Sequence, residues 1–427
     1  MSPHATCPES RQLRSKRYLE EFAITRHAFL PEESPAVLLS HAYYDPWESV
    51  ARQLPQLIDS GGIRQAVSLL PVLSTDYLAS ESEWRRAYCL LAYTAHAHIW
   101  GGDKPEEILP PQITVPFLAV SSHLEVPPVL TYAGANLWNF SSTSDDFTDL
   151  GSLQTLFSFT GTESEAWFLL ISVAMEAKGA GIIDTMTAAI SAVKTRDYGM
   201  IIHALEELQD CIRGVGVLLE RMYERCDPMI FYHRIRPFLA GSKNMGAAGL
   251  PSGVFYDEGD GKGEWLEYRG GSNGQSSLIQ FFDIVLGIDH KGHGNTQSSF
   301  HAEVREYMPG PHRRFLLHVA RLGSIRELAL LPPVTEEQHR LQETYTAATE
   351  ALSEFRDKHI KIVTRYIVLP SKKPWQGTGR KNLASSSSGM KGSTNLTGTG
   401  GTSLMPFLKH SRDETKAAGQ LNSSGWY

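Results

Sequence analysis

Between Pro333 and Pro370 the chain repeats apolar or small residues at alternating steps of four and three: Leu341, Tyr345, Ala348, Leu352, Phe355, Ile362 and Tyr366, with His359 set among them. Those steps return to one side of a helix that has 3.6 residues per turn. Thr335 can cap the helix start, and Gln338 three positions on completes a capping box. Pro370 ends it. At 1.5 Å per residue the predicted helix is roughly 50 Å long. A one-sided helix of that length needs other helices along its apolar face, which constrains the fold more than any other feature.

Further helices are predicted from the same patterning. Residues 83–100 place Trp84, Ala87, Tyr88, Leu91, Ala95 and His98 on one side, and residues 166–177 are apolar nearly all round. Residues 195–225 carry Ile201, Leu205, Leu208, Ile212, Val215, Leu219 and Met222 in a four-three pattern, a helix of about eight turns. Residues 275–286 leave a Gly-rich turn and are again strongly apolar. Strand-like alternation is confined to 253–256 and 265–268. The chain is therefore expected to be all-α. We expect a charged tail over 1–25, a small helical domain over 26–155 and a larger helical domain over 156–427, with the seam in the helix-poor stretch 141–165. Within the larger domain, 18 of the 32 residues from 371 to 402 are Gly, Ser or Thr, and the charges there are five basic and no acidic. That is the composition of a flexible, lid-like loop.

Composition excludes several classes. With 427 residues, 40 Lys plus Arg and 47 Asp plus Glu, the net charge is −7 and the basic residues are scattered. A broad nucleic-acid surface is not expected. No stretch approaches the ~20 uncharged apolar residues that cross a bilayer, and residues 1–17 lack the apolar core of a secretory signal. The four cysteines, Cys7, Cys89, Cys211 and Cys226, fit no zinc or redox spacing. A reduced, cytoplasmic, monomeric protein is the expectation.

Three features carry possible chemistry. His359 sits in the apolar stripe of the long helix, either as a core histidine bonded to a carbonyl or as a ligand of a metal or haem. Arg356, three residues earlier, shares that face and could meet a haem propionate. No Cys-x-x-Cys-His is present, so a haem would be bound non-covalently. The turn Gly270-Gly271-Ser272-Asn273-Gly274 formally contains the G-x-S-x-G nucleophile elbow of hydrolases. Asp283 or Asp289, and then His312 or His318, follow in the required order. The strand–helix alternation which that chemistry needs is missing, so a Gly-rich helix entry is the plainer reading. In Phe231-Tyr232-His233-Arg234-Ile235-Arg236, Tyr232 and Arg236 share a helix face beside Phe231. Such a group suits a ligand with a ring and a carboxylate, or equally a core edge with a surface arginine. Asp289-His290-x-x-His293, and the pair His96 and His98, read as surface or loop residues. The Gly-Thr-Gly runs at 377–379 and 398–401 lack a phosphate-loop pattern.

Four motifs in register, covering residues 126–408, resemble the indoleamine 2,3-dioxygenase family. They are Gly270-Gly271-Ser272-x-Gly274-Gln275-Ser276-Ser277 with Gln280-x-Phe282-Asp283-x-x-Leu286-Gly287-Ile288; Tyr307-Met308-Pro309-x-Pro311-His312-Arg313-x-Phe315-Leu316; His359-x-x-Ile362-Val363-Thr364-x-Tyr366-Ile367; and Gly398-Thr399-Gly400-Gly401-Thr402-x-Leu404-Met405. Residues 236–244 are similar to fungal members in particular. The resemblance implies a two-domain, all-α enzyme that holds haem b and inserts O₂ across the indole C2–C3 bond of L-tryptophan. The product would be N-formylkynurenine, in the first step of the kynurenine route toward NAD.

By matched position, the resemblance implies that His359 is the iron ligand, with Arg356, Asp283 and Ser272 around the haem. Arg236 would hold the substrate carboxylate, and Phe231 would pack on the indole. Tyr132, Phe168 and Ser172 would line the pocket above the iron, with Ser172, Phe231 and Arg236 nearest the chemistry. Tyr232, Ser272, Asn273 and Thr399 would complete the substrate site, and 398–402 would close over it. Tyr232 stands where a second Phe is common, Asn273 where a small residue is common, and Ala135 where some members have Cys. The alternatives are a haem-binding sensor with little turnover on the same fold, or a serine hydrolase built on Ser272.

Overall fold

The computed structural model describes residues 18–290, 300–376 and 404–420. In chain order the main helices are α1 (Glu81–Trp100), α2 (Pro111–Leu124), α3 (Glu163–Ala177), α4 (Ile182–Ala192), α5 (Tyr198–Glu220), α6 (Ser277–Val285), α7 (Gly310–Leu322), α8 (Glu336–Val363) and α9 (Leu404–Ala418). Three short helices (Asp45–Arg52, Leu54–Ser60 and Ile63–Ser68) precede α1. Helix dominates, as the patterning requires.

The long helix forms as expected. Thr335 accepts from the Gln338 backbone N–H, and the Gln338 side chain accepts from the Thr335 N–H, completing the capping box. Leu341, Tyr345, Ala348, Leu352, Phe355, Ile362 and Tyr366 are all buried. They pack chiefly on α5, and α9 lies along another side of α8. A wider π-helical turn (Thr364–Val368) carries α8 to Pro370. The α5 stripe from Ile201 to Met222 is buried throughout, but the continuous helix stops at Glu220 and a separate turn (Met222–Arg225) follows, shorter than the 195–225 expected.

Two expectations are corrected by packing. α1 is buried on every side from Arg86 to Trp100, so it is a central helix and not a one-sided one. His96 and His98 are therefore core residues: the His96 Nδ1–H meets the Phe238 carbonyl at 2.7 Å while its Nε2 accepts from the Leu130 N–H, and His98 meets the Ile108 carbonyl. Residues 18–25, expected to belong to a tail, pack into the fold. Leu19 and Ile24 are buried in the core, and the rings of Tyr18 and Phe22 pack on His318.

The strands are few. β1 (Ile108–Leu109) pairs in parallel with β4 (Val254–Gly259), which pairs antiparallel with β5 (Lys262–Leu266) through Phe255 opposite Trp265. β2 (Phe140–Ser142) and β3 (Leu153–Thr155) form a separate antiparallel pair within the helix-poor stretch. One cluster of buried apolar side chains runs from Leu19 to Ala418. Among the described residues no single helix is long and apolar enough to cross a membrane. α3 and α4 reach that length only together, across a 42° bend.

Candidate active site

α3, α6, α8 and α9, the turn after Tyr132, and the segment 231–239 enclose a deep cavity with a mainly apolar lining. Tyr132, Phe168, Ser172, Phe231, Arg236, Ser272, Asn273, Asp283, Arg356 and His359 all line it. Residues spread over more than 220 positions of sequence thus meet at one place. Tyr232 does not line it: the ring is buried beside Arg236, whose guanidinium carbon lies 5.7 Å from the ring centre. Thr399, and all of 377–403, lie outside the described residues. Tyr132 and Ala135 reach the cavity from the N-terminal side of the expected seam, and the other named residues from the C-terminal side.

His359 occupies the α8 stripe where every neighbour is closed off, yet its imidazole is partly exposed because it faces the cavity. It makes no hydrogen bond among the described residues. Burial, aided by the Arg356 charge, pushes its pKa down to about 4, so the ring is neutral and both lone-pair chemistry and ligation are open to it. The reading as a core histidine bonded to a carbonyl is thereby corrected.

One turn earlier, Arg356 bonds Asp283 of α6 at 2.5 Å. Burial alone would raise the Asp283 pKa, but Arg356 and then His290 hold it well below the usual carboxylate range. His290 lies in a loop, one of the two places expected for it, but it is buried and not exposed, with Nε2 3.2 Å from Asp283 and Nδ1 2.7 Å from Glu414 of α9. His301 stacks on His290 at 3.8 Å and is pushed down to about 3, chiefly by burial. Asp283, His290 and His301 bring ligand atoms within 4.8 Å of one another. The Arg356 guanidinium already supplies the positive charge in that cluster, so a second cation would be repelled.

The glycines of the turn have a packing cause. A Cβ on Gly270 would lie 2.0 Å from the Leu239 carbonyl, and one on Gly241 2.4 Å from the Gly270 nitrogen. Only bare backbones can approach so closely, and this contact fixes the Ser272 turn against the segment that carries Arg236. Gln275 adds two bonds, accepting from the Tyr132 N–H and donating to the Gly270 carbonyl, both at 2.9 Å. Gln280 donates to the Gly274 carbonyl at 3.0 Å. Ser272 accepts from the Gly274 N–H and caps a short 3-10 turn (Asn273–Gln275).

The hydrolase alternative fails on this geometry. The strand before Ser272, β5, ends at Leu266 and pairs only antiparallel with β4, so no parallel strand runs into the turn; Asp283 is committed to Arg356, and His312 bonds Ser277 at 3.1 Å. His318 of α7 stacks on the Phe22 ring and meets the Tyr18 ring edge-on.

Phe231 begins a π-helical turn (Phe231–Ile235), and its ring meets Phe168 at 4.9 Å and Tyr366 at 5.8 Å, edge to face. Arg236 follows on a 3-10 turn (Arg236–Leu239), is only 8% exposed, and has its pKa lowered by burial. An aromatic wall beside a buried guanidinium can orient a planar ring and a carboxylate together.

Three wall residues were not singled out in the sequence. Asn136 is buried beside Ala135, donating from Nδ2 to the Tyr132 carbonyl while its Oδ1 has no partner among the described residues. Glu176 is a buried acid one turn beyond Ser172, and His301 enters from a short helix (Phe300–Arg305). The available signal was Glu176 itself, an acid near the end of a helix otherwise apolar nearly all round.

The residues fit a haem. A neutral imidazole faces an apolar cavity, and the buried Arg356 Nε has no hydrogen-bond partner among the described residues. Both are what a porphyrin with an iron and acidic side arms would satisfy. The family model of indoleamine 2,3-dioxygenase matches residues 18–418. An indoleamine 2,3-dioxygenase of Aspergillus nanangensis is 41% identical over 94% of this chain and 97% of its own length. A Saccharomyces cerevisiae indoleamine 2,3-dioxygenase is 37% identical over 96% of each chain, and a 6-hydroxytryptophan 2,3-dioxygenase of Fusarium equiseti is 39% identical over 90% of this chain and 94% of its own. With a family match that spans the cavity walls and relatives aligned over nearly their whole length, this chain belongs to the indoleamine 2,3-dioxygenase family of haem-dependent oxidoreductases.

Proposed function

We propose that the protein binds haem b through His359 and converts L-tryptophan and O₂ to N-formylkynurenine. The observation that carries this reading is His359. It is a neutral imidazole without a hydrogen-bond partner among the described residues, facing a cavity that also holds Phe231 and Arg236. The haem iron, when bound, supplies the activation of O₂. The protein's own residues do the rest. Arg236 takes the substrate carboxylate, and Phe231 and Phe168 confine the indole, which fixes which ring edge is presented. Asp283 and His290 orient Arg356 toward the haem's acidic arms. The apolar walls from Leu404 and Phe407 exclude water from the reacting groups. Ser172 is the one uncharged polar side chain that α3 turns into the cavity, with Glu176 of the same helix one turn beyond it.

Asn136 favours a second substrate reading. Its unpaired amide oxygen is a buried acceptor on the wall, and a ring hydroxyl on the indole would supply the missing donor. The name of the Fusarium relative points to the same substituent. The test is a spectrum of the purified protein, reduced without air and then given O₂, with L-tryptophan, with 6-hydroxytryptophan and with neither. A haem band with O₂-dependent product supports a dioxygenase and ranks the two substrates. A haem band without product from either would leave a sensor.

A further inference from the structure

Glu176 is a buried carboxyl on the cavity wall that the reaction as described leaves without a task. Its Oε1 accepts two hydrogen bonds, from the Tyr132 hydroxyl at 3.1 Å and from the Ser276 hydroxyl. Its Oε2 is closed off from water and has no hydrogen-bond partner among the described residues. An ionised oxygen in that position would be a buried charge without a donor, which is far more costly than a protonated one. We propose that Glu176 is held as a neutral acid with its proton on Oε2, and that its charge state sets the pH range in which the cavity accepts its substrate.

The surroundings agree. Burial, the largest cause, raises the Glu176 pKa to about 7. The Ser276 and Tyr132 hydroxyls and, least, the Leu278 backbone N–H pull the other way. Tyr132 is the titratable side chain in contact, and burial together with Glu176 keeps its phenol protonated. α3 itself contributes Ser172, which also approaches the phenol, and α6 contributes Ser276 as its cap. Lys178, the C-cap of α3, is exposed. Asp283, Arg356, His359 and Arg236 line the same cavity, but none is among the causes of the Glu176 shift.

The functional part rests on the proposed reaction. Arg236 lines the same cavity, where the proposed reaction has it meet the substrate carboxylate, and a neutral Glu176 adds no opposing charge there. An ionised Glu176 adds a negative charge to the same low-dielectric space and repels that carboxylate. KM should therefore rise as the pH passes about 7, while kcat at saturation changes less.

The test has two arms. Difference infrared spectra of the wild-type protein, without substrate, should show the C=O stretch of a protonated carboxylic acid at about pH 6 that fades by about pH 8. That band should be absent in Glu176→Gln. Ser276→Ala, which removes a donor that favours the charged form, should move the fading to higher pH. In kinetics, the tenfold-scale rise of KM between about pH 6 and 8 in wild type should flatten in Glu176→Gln. No titrating band in the wild-type protein would overturn the neutral acid. A KM rise that persists unchanged in Glu176→Gln would overturn its role in substrate acceptance. The infrared arm needs no turnover, so its failure is distinguishable from failure of the dioxygenase reading.

Discussion

Arg356 of α8 and Asp283 of α6 form an ion pair 2.5 Å long, with 13% and 6% of their side chains exposed. The pair ties the helix that carries His359 to the helix that begins at the Gly-rich turn. Removing one partner strands the other charge in a low-dielectric site. Asp283→Ala should therefore lower unfolding stability by about 3–5 kcal/mol, and the paired replacement of both residues by apolar ones should cost much less. Urea unfolding of both variants checks this; a loss below about 1 kcal/mol in the single variant would show that water reaches the pair.

His359→Ala should fold, since the side chain holds no protein partner, and should retain less than roughly a tenth of the wild-type haem. The ratio of haem absorbance to protein absorbance after haemin loading measures it. A fully loaded variant with an unchanged spectrum would assign the iron to another ligand.

Arg236→Ala should weaken substrate binding by about 2–5 kcal/mol if the guanidinium and the carboxylate pair out of water. Arg236→Lys should recover only part of that, because a point charge does not reproduce the planar, two-pronged donor. Substrate-induced changes in the haem spectrum give the binding constants. Equal constants for wild type and Arg236→Ala would reject the clamp.

Acid should destabilise the fold through its buried histidines. His96 donates from Nδ1 to Phe238 and accepts at Nε2 from Leu130, so a second proton on the ring would break the latter bond. Burial pushes its pKa down to about 4, and that of His312 to about 3. A folded pKa below the unfolded value means that the unfolded chain binds more protons. The stability they contribute is whole above about pH 6.5 and is lost progressively as the pH falls toward 4, by up to about 3 kcal/mol per fully buried group. Unfolding midpoints between about pH 7 and 4 should fall steeply in wild type and less so in His96→Asn, which keeps a donor and an acceptor. Parallel curves would remove His96 from the acid response.

The helices were legible because their cause is local. The four-three stripes of α5 and α8, the Thr335–Gln338 capping box and the Phe255–Trp265 strand pair all follow from nearest neighbours along the chain. The cavity was legible only through resemblance, since Tyr132, Arg236, Ser272 and His359 meet through tertiary packing that spacing does not encode. His96 and His98 were misassigned, and the burial of His290 was missed, for that reason. A histidine on a mixed helix or in a Gly-rich segment carries no local sign of the distant carbonyl, amide or carboxylate that buries it. Glu176 was overlooked because one acid near a helix end reads as solvated until Tyr132 and Ser276 are seen to close over it.

The most direct measurement is the fate of isotopically labelled oxygen. The reduced, haem-loaded protein is given L-tryptophan under ¹⁸O₂, and the product is weighed by mass spectrometry, with His359→Ala as the control. Both labelled atoms should appear in a single N-formylkynurenine molecule from the wild-type protein, and no product should form in the variant. Product carrying one label and one oxygen from water, or equal turnover by His359→Ala, would contradict a dioxygenase built on that imidazole.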